Sequence, residues 1–381
     1  MTGQSLEGVR VLELARYQAG PRGGMILSDL GAEVIKIERL GGEETRANPP
    51  MVRGQSLYFT VYNRGKKSLC LDMRNETGKA IFADLVKTAD IVLENFRPGT
   101  MEQMGFGYDT LKAINPRIIL VSVSGFGQQG PYRDRPAFDP LGQAMSGLMT
   151  LTGQPVGQPL GTASSIIDRT TALHATIGCL AALRHRDRTG EGQIVDVCLL
   201  DSALTLVEIP TAYYLSTGEE GGEAGRPPYK AADGHVVISA TGREMAARLL
   251  ALVSGGTAKG GPVNSGTGGD RRKMLEDWCA TRTKDQICTA LLDIGVPVAP
   301  VKTTPEVAQD PHLWAREMLV KMDDPLAGEI FVPGVAMKLS KTPGQVAPVP
   351  TPGQHTDEVL GRLLGYDAER LSSLRASKVI G

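Results

Sequence analysis

Cysteine is scarce in this chain. The five cysteines are Cys70, Cys179, Cys198, Cys279 and Cys288. No two of them stand at the spacing of zinc ligands or of a redox pair. That pattern argues against a disulfide framework and for a reducing compartment. An excess of charge is missing too: 41 Lys and Arg face 42 Asp and Glu, a formal net charge of −1. Such balance argues against a general nucleic-acid or membrane-surface binder. No apolar run is long enough to span a bilayer. The opening stretch MTGQSLEGVRVLELAR lacks the shape of a signal peptide. A cytoplasmic protein is expected. His174, His185, His235, His312 and His355 show no metal-ligand spacing, so no metal is expected. No G-x-S-x-G elbow occurs. The loop AGPRGG tempts toward dinucleotide binding, but Pro21 and Arg22 interrupt the G-x-G-x-x-G fingerprint.

What is present is alternation. The 381 residues suggest two domains, or one with an insertion. VRVLELA (9–15), AEVIKIE (32–38), KSLCLDM, DIVLENF and RIILVSVSGFG read as buried strands. YQAGPRGG reads as a loop and GMILSDLG as a helix after it. NETGKAIFADLVKTA reads as a helix, and GTMEQMGFGYDTLKAIN as another. Strands alternating with helices predict an α/β fold, its parallel sheet covered on both faces. IVDVCLLDSALTLVEIPTAYYL reads as a strand followed by one helix. The large domain is expected over 1–200, a linker over 201–225 and a smaller α/β domain over 226–321. A linker and C-terminal segment over 322–381, helical in GQHTDEVLGRLLGYDAERLSSLRASKVI, would return to the large domain. Within the smaller domain, DGHVVISA and VPVAPVKT read as strands, and REMAARLLALV and KDQICTALLDIG as helices. SGGTAKGGPVNSGTGGDRRK reads as a long loop.

Ligands on parallel sheets bind beyond the carboxyl ends of the strands. Tyr17, Gln18, Arg39, Asn95, Phe96, Arg97 and Ser124–Gly127 fall there. Arg39, Arg74 and Arg97 suit phosphate through charge-assisted hydrogen bonds, or are solvated surface charge. Asp168 stands at the start of a helix whose Leu173, Ile177, Leu180 and Leu183 follow at the spacing of a buried face. On pattern alone it is a cap for that helix.

The stretches LEGVRVLELARYQAGP, LGAEVIKIE, GQSLYFTVYNRGKKSLCLDM, SGFGQQGPYRDRPAFDPLGQAMSGLM and HRDRTGEGQIVDV carry a resemblance. So does ADIVLENFRPGTMEQMGFGYDTLKAINPRIILVS. In this order they resemble the class III CoA-transferases, whose relatives include the α-methylacyl-CoA racemases. The resemblance implies a Rossmann-like large domain, a smaller α/β domain and two ring-like subunits interlocked as a homodimer. It implies Asp168 as catalytic nucleophile. It implies CoA contacts at Gln18, Ala19, Arg39, Leu71, Asp72, Met73, Arg74, Asn95, Phe96, Arg97, Gln103, Gly125 and Phe126. Coenzyme A thioester would be substrate, with no permanently bound cofactor, and a carboxylic acid would be the acceptor.

The resemblance also explains how a bare carboxylate suffices. At its ordinary value, about 4, it is ionised at neutral pH and needs no base. A helix N-terminus would favour the charged form further. Backbone amides near Asp168, or glycines between Gly255 and Gly269, would stabilise the oxyanions. Gln103 stands where formyl-CoA transferases carry arginine, and Arg16 where they carry histidine. Arg16 and Arg169 are candidates to hold the second carboxylate of a dicarboxylic acceptor. A racemase needs two acid–base groups, and Phe126 occupies the position of the racemases' histidine. A racemase and a non-catalytic CoA-binding protein remain the alternative readings.

Overall fold

The computed structural model describes residues 3–153, 157–221, 227–255 and 269–381. Six strands make the main sheet: β1 (Arg10–Glu13), β2 (Glu33–Glu38), β3 (Lys67–Cys70), β4 (Ile91–Glu94), β5 (Ile119–Ser124) and β6 (Ile194–Cys198). Their order is β3-β2-β1-β4-β5-β6, and every neighbouring pair is parallel. This is the doubly wound order of dinucleotide-binding sheets. The strand centres are apolar because both faces are covered. Leu12, Ile35, Leu69, Val92 and Leu120 point to one core, and Val11, Val34, Ile91, Ile119 and Val121 to the other.

On the first face lie Ile81, Phe82 and Leu85 of the helix Glu76–Val86. Beside them sit Val359 and Leu360, Leu371 and Leu374, and Val379 and Ile380, from the far end of the sequence. That segment also hydrogen-bonds to the β3 end. Asp72 N–H donates to the Val379 carbonyl (2.9 Å), and Gly381 N–H donates to that of Cys70 (3.2 Å). On the second face lie the helices Ala19–Asp29 and Ile166–Thr189. The first of these contains Gly23 and Gly24, which a helix interior ordinarily disfavours by about 1 kcal/mol each. Gly24 is required by close approach: a Cβ there would stand 1.8 Å from Glu13 Oε2.

The chain folds as two compact units. The larger comprises Met1–Gly153, Gln158–Gly222 and His312–Gly381, and the smaller is centred on Glu223–Pro311. The smaller unit holds an antiparallel sheet of Tyr229–Ala231, Gly234–Ile238 and Val298–Pro300. Its core gathers Val236, Leu249, Cys279, Ile287 and Leu291. The sequence boundary at Lys321 falls inside the strand Leu319–Asp324, which pairs with Gly328–Pro333 in a hairpin of the larger unit.

Several local expectations need correction. The AGPRGG stretch is helical from Ala19. Pro21 sits in the first turn, where no intrahelical N–H is needed. GTMEQ…AIN forms two short helices, Thr100–Gln103 and Tyr108–Ile114, parted by Gly105 at φ +88°. After β6 there are two helices as well, Leu199–Leu204 and Glu208–Thr217. The expected glycine-rich loop ends in a helix that begins at Gly269, and its residues 256–268 lie outside the described residues. Leu173 and Ile177 are exposed, at 47% and 62%. The buried stripe of their helix is made instead of small residues, Ala172, Ala175, Cys179 and Ala182.

Candidate active site

The chain runs outward from β1 to β2 on one side of the sheet and returns to β4 on the other. A crevice beyond the carboxyl ends of these two strands follows from that reversal. A cavity of about 590 Å³ opens there, a size suited to a small-molecule ligand. Arg16–Ala19 after β1, Asn95–Arg97 after β4, and Ser124 and Gly125 at the end of β5 line it. Tyr58, Arg135–Pro140, Ser165 and Asp168 complete the wall.

The loop after β1 is tightly specified. The Asn95 side chain accepts from Arg16 N–H (2.8 Å) and donates to the Arg16 carbonyl (2.6 Å). Tyr17 is held in the left-handed region at φ +66°, a conformation that tyrosine adopts only where its surroundings over-determine it. Its ring meets Phe138 edge to face, with centroids 6.1 Å apart. Gln18 is buried, and its Nε2 has no partner among the described residues. The β4 end is fixed by Glu94, which accepts from Phe96 N–H at 2.7 Å. Burial pushes the Glu94 carboxyl up to about 7, against the hydrogen bonds from Ser122 and Phe96.

Asp168 lies in the first turn of the helix Ile166–Thr189, yet it does not cap it. Asp139, buried at the start of the helix Asp139–Met145, reaches across to do so. Its Oδ2 accepts from the N–H groups of Ile167 (2.7 Å) and Asp168 (3.0 Å). Gln143 Nε2 donates to Asp139 Oδ1, and Gln143 Oε1 accepts from Thr162 N–H at 2.9 Å. Two helix N-terminal donors are thereby consumed. The half-buried Asp168 carboxyl makes no hydrogen bond among the described residues. Desolvation, then the charge of Asp139, push it up to about 7, with Arg169 opposing. The expectation of an ordinary value near 4 is therefore wrong. Burial and a neighbouring carboxylate outweigh the helix dipole, whose donors Asp139 already occupies. Tyr58 shares this wall; burial and the Asp168 charge push its phenol upward, so it stays protonated.

The cavity gathers Gln18, Ala19, Asn95, Phe96, Arg97 and Gly125 with Asp168. Arg39, Leu71, Asp72, Met73, Arg74, Gln103 and Phe126 do not line it. Arg39 and Leu71–Arg74 nonetheless follow the carboxyl ends of β2 and β3, so they extend the same sheet edge. Arg39 Nε donates to the Gly42 carbonyl (2.8 Å). Phe126 packs against Tyr132, centroids 5.8 Å apart. Arg16 lines the cavity, whereas the exposed Arg169 donates to Ser164 Oγ and is absent from the wall. Sequence reasoning missed Tyr58, Arg135 and Asp139. Asp139 had a faint signal, an acidic residue followed by Pro140 at a helix start, but nothing in the spacing says whose amides it serves.

A family model described as CoA-transferase family III matches residues 6–356. The chain belongs to CoA-transferase family III. Like its relatives it is an enzyme that moves CoA from an acyl-CoA donor to a carboxylic acid. It is 38% identical to a succinyl-CoA–D-citramalate CoA-transferase of Chloroflexus aurantiacus, over 98% of each chain. It is also 38% identical to a succinyl-CoA:mesaconate CoA-transferase of Haloarcula hispanica, over 97% of this chain and 99% of that one. A CaiB/BaiF family protein of Brucella suis has the same fold, with a TM-score of 0.84 and 32% identity. The match covers 95% of this chain and all of that one. In this CoA-transferase the absence of a proton acceptor at Phe126 fits transfer rather than racemisation.

Proposed function

We propose that this CoA-transferase passes CoA to a small dicarboxylate, with Asp168 as the covalent carrier. The observation that carries the reading is the Asp168 carboxyl, free of hydrogen bonds among the described residues, in the wall of the cavity at the reversal of strand order. Ionised Asp168 attacks the donor thioester carbonyl; the C–S bond breaks and CoA leaves as thiolate, giving a mixed anhydride. The thiolate attacks the aspartyl carbonyl and releases the donor acid, leaving an aspartyl–CoA thioester. The acceptor carboxylate attacks that thioester, and the returning thiolate takes the acceptor acyl group and restores Asp168. Every step uses a carboxylate or a thiolate, so no permanently bound cofactor is required. Each passes through an oxyanion. The amides of Ile167 and Asp168 serve Asp139, whereas the Gln18 side-chain amide, unpartnered among the described residues, is a donor in this wall free to serve the oxyanion.

The dicarboxylate reading rests on Arg16. Its guanidinium lies over the Phe96 ring (5.4 Å) and 3.1 Å from Glu44 Oε1, half-exposed. An exposed pair of this kind contributes about 0–1 kcal/mol, so an acceptor's second carboxylate can share the arginine. The two relatives named above bear the names of the diacids citramalate and mesaconate. Arg16→Met is expected to lower kcat/KM for succinate about tenfold or more, the scale of one charged hydrogen bond, and to leave butyrate nearly unchanged. Equal losses for both acids would refute the assignment.

The protein is further read as an interlocked homodimer of the cytoplasm. Leu173 and Ile177 are bare, and the helix Glu208–Thr217 buries no residue while exposing Ile209 (75%) and Leu215 (79%). Apolar surface of this kind marks a protein–protein contact. All five cysteines are free, as a reducing compartment requires. Among the described residues no helix is long and apolar enough to cross a membrane. Linked rings separate only after a chain opens, so exchange is slow. Two differently tagged preparations, mixed at room temperature, are expected to form no hybrid dimers over hours. Rapid hybrid formation, seen by sequential affinity capture, would count against interlocking.

A further inference from the structure

Beneath the loop that carries Arg16, Tyr17 and Gln18 lies a sealed group of charges. Glu13 closes β1, Lys36 lies within β2, Lys66 stands just before β3, and Glu43 follows the β2 end; each is at most 5% exposed. Lys36 Nζ donates to Glu13 Oε1 (3.1 Å) and to the Ala15 carbonyl (2.7 Å), and pairs with Glu43 Oε2 (2.7 Å). Lys66 Nζ donates to the same Glu13 oxygen (2.7 Å), to the Pro21 carbonyl (2.8 Å) and to Asn63 Oδ1 (2.9 Å). Each ammonium has three protons, and each makes three such contacts.

The two carbonyls taken, Ala15 and Pro21, lie on either side of the Arg16–Gln18 loop. Tyr17 in that loop keeps a left-handed backbone, and Gln18 keeps a buried side chain in the cavity wall. Replacing a buried ion pair with apolar groups is often neutral or stabilising, so stability alone is a weak reason for this arrangement. We propose that the Glu13-bridged lysines, Lys66 above all, are positioning residues that hold the Arg16–Gln18 loop in the geometry needed for transfer at Asp168. The role deepens the reading of the Asp168 cavity as the reacting site and rests on it. Lys66 acts through the loop and is not in the cavity wall.

The arrangement has a pH signature. Burial lowers the Lys66 ammonium to about 8, against the attraction of Glu13 and with Lys36 adding repulsion. The other charged groups around it are Glu43 and the Asp29–Arg64 pair. Loss of one proton removes one of the three donors. Activity per folded enzyme is therefore expected to fall as pH rises through about 8.

The test compares wild type, Lys66→Met, the charge-balanced Glu13→Gln/Lys66→Met and the control Asp168→Asn. Transfer is followed with succinyl-CoA, and active sites are counted by hydroxylamine trapping of the aspartyl adduct. With the cation gone, kcat per trapped site is expected to drop about tenfold or more, the scale of a small misplacement of reacting groups. KM for the acyl-CoA should change less, and the descending limb near pH 8 should vanish. A merely structural role would lower the melting temperature and the number of sites, but not kcat per site or the shape of the profile. A folded double variant with kcat within threefold of wild type and the same limb would overturn the proposal. Should neither Lys66 variant fold, wild type decides. Hydrogen exchange in the peptide spanning 10–24 should rise together with the loss of activity near pH 8; a flat profile from pH 7 to 9.5 overturns the proposal. Transfer by Asp168→Asn within tenfold of wild type would instead sink the reading of the site itself.

Discussion

Asp168→Asn is expected to lower kcat for CoA transfer by about 10⁴ or more, the usual loss when a covalent nucleophile is removed. CoA affinity should stay within about threefold, because the binding edge is supplied by other strand ends and the amide keeps the carboxyl's shape. Hydroxylamine or borohydride added with acyl-CoA should mark Asp168 in wild type and nothing in the variant, as read by peptide mass spectrometry. The same substitution carries a stability signature whose sign is fixed. Folding raises the Asp168 carboxyl from about 3.9 in an open chain to about 7. The folded state then binds the proton more tightly, so this group's contribution to stability is greatest below pH 4 and is lost as pH rises through 7. Asparagine carries no such penalty. Its gain in melting temperature over wild type should be larger at pH 8 than at pH 5. A gain of equal size at both would refute a buried, raised carboxyl.

The pH dependence of the wild type follows from the same carboxyl. Only ionised Asp168 attacks a thioester, so kcat/KM for the acyl-CoA should climb about tenfold per unit below an apparent value near 7 and flatten above it, before the Lys66 limb near 8 lowers activity again. The raised value makes the ionised group more basic, and so the stronger nucleophile, while leaving half of it protonated at neutrality. Burial is the larger cause and Asp139 the second. Asp139→Asn should therefore move the limb toward acid without restoring the value of a free aspartate. A wild-type limb near pH 4 would show that Asp168 is hydrated when substrate arrives.

The sheet was legible because VRVLELA, DIVLENF and RIILVSVS are short apolar runs set between helical segments, the mark of doubly buried parallel strands. Helix starts were harder. AGPRGG looks like a loop by composition, and only the packing of Ala15 against Gly20 and of Glu13 against Gly24 shows why a helix accepts these two glycines. Of the site, the strand-end residues Gln18, Asn95, Phe96, Arg97 and Gly125 could be placed once the sheet was read as parallel. Asp168 was singled out through its family position, but the raised value of its carboxyl was not foreseen. Its environment comes from Asp139 and Gln143, 29 and 25 residues earlier, and a carboxylate's solvation is not written in its own neighbours. The pairing of Lys36 and Lys66 through one Glu13 oxygen was invisible for the same reason: it exists only once the three strands lie side by side.

The bonds from Asp72 to Val379 and from Gly381 to Cys70 bear on how the molecule is made. Residues 67–74 leave the ribosome early, while the helices that cover Leu12, Leu69 and Phe82 emerge nearly three hundred residues later. Until then that face is covered only in part, by the helix Glu76–Val86 and its neighbours, and contacts so distant in sequence form slowly. The edge at Leu71–Arg74 therefore takes its final form only once the last residues of the sequence are in place.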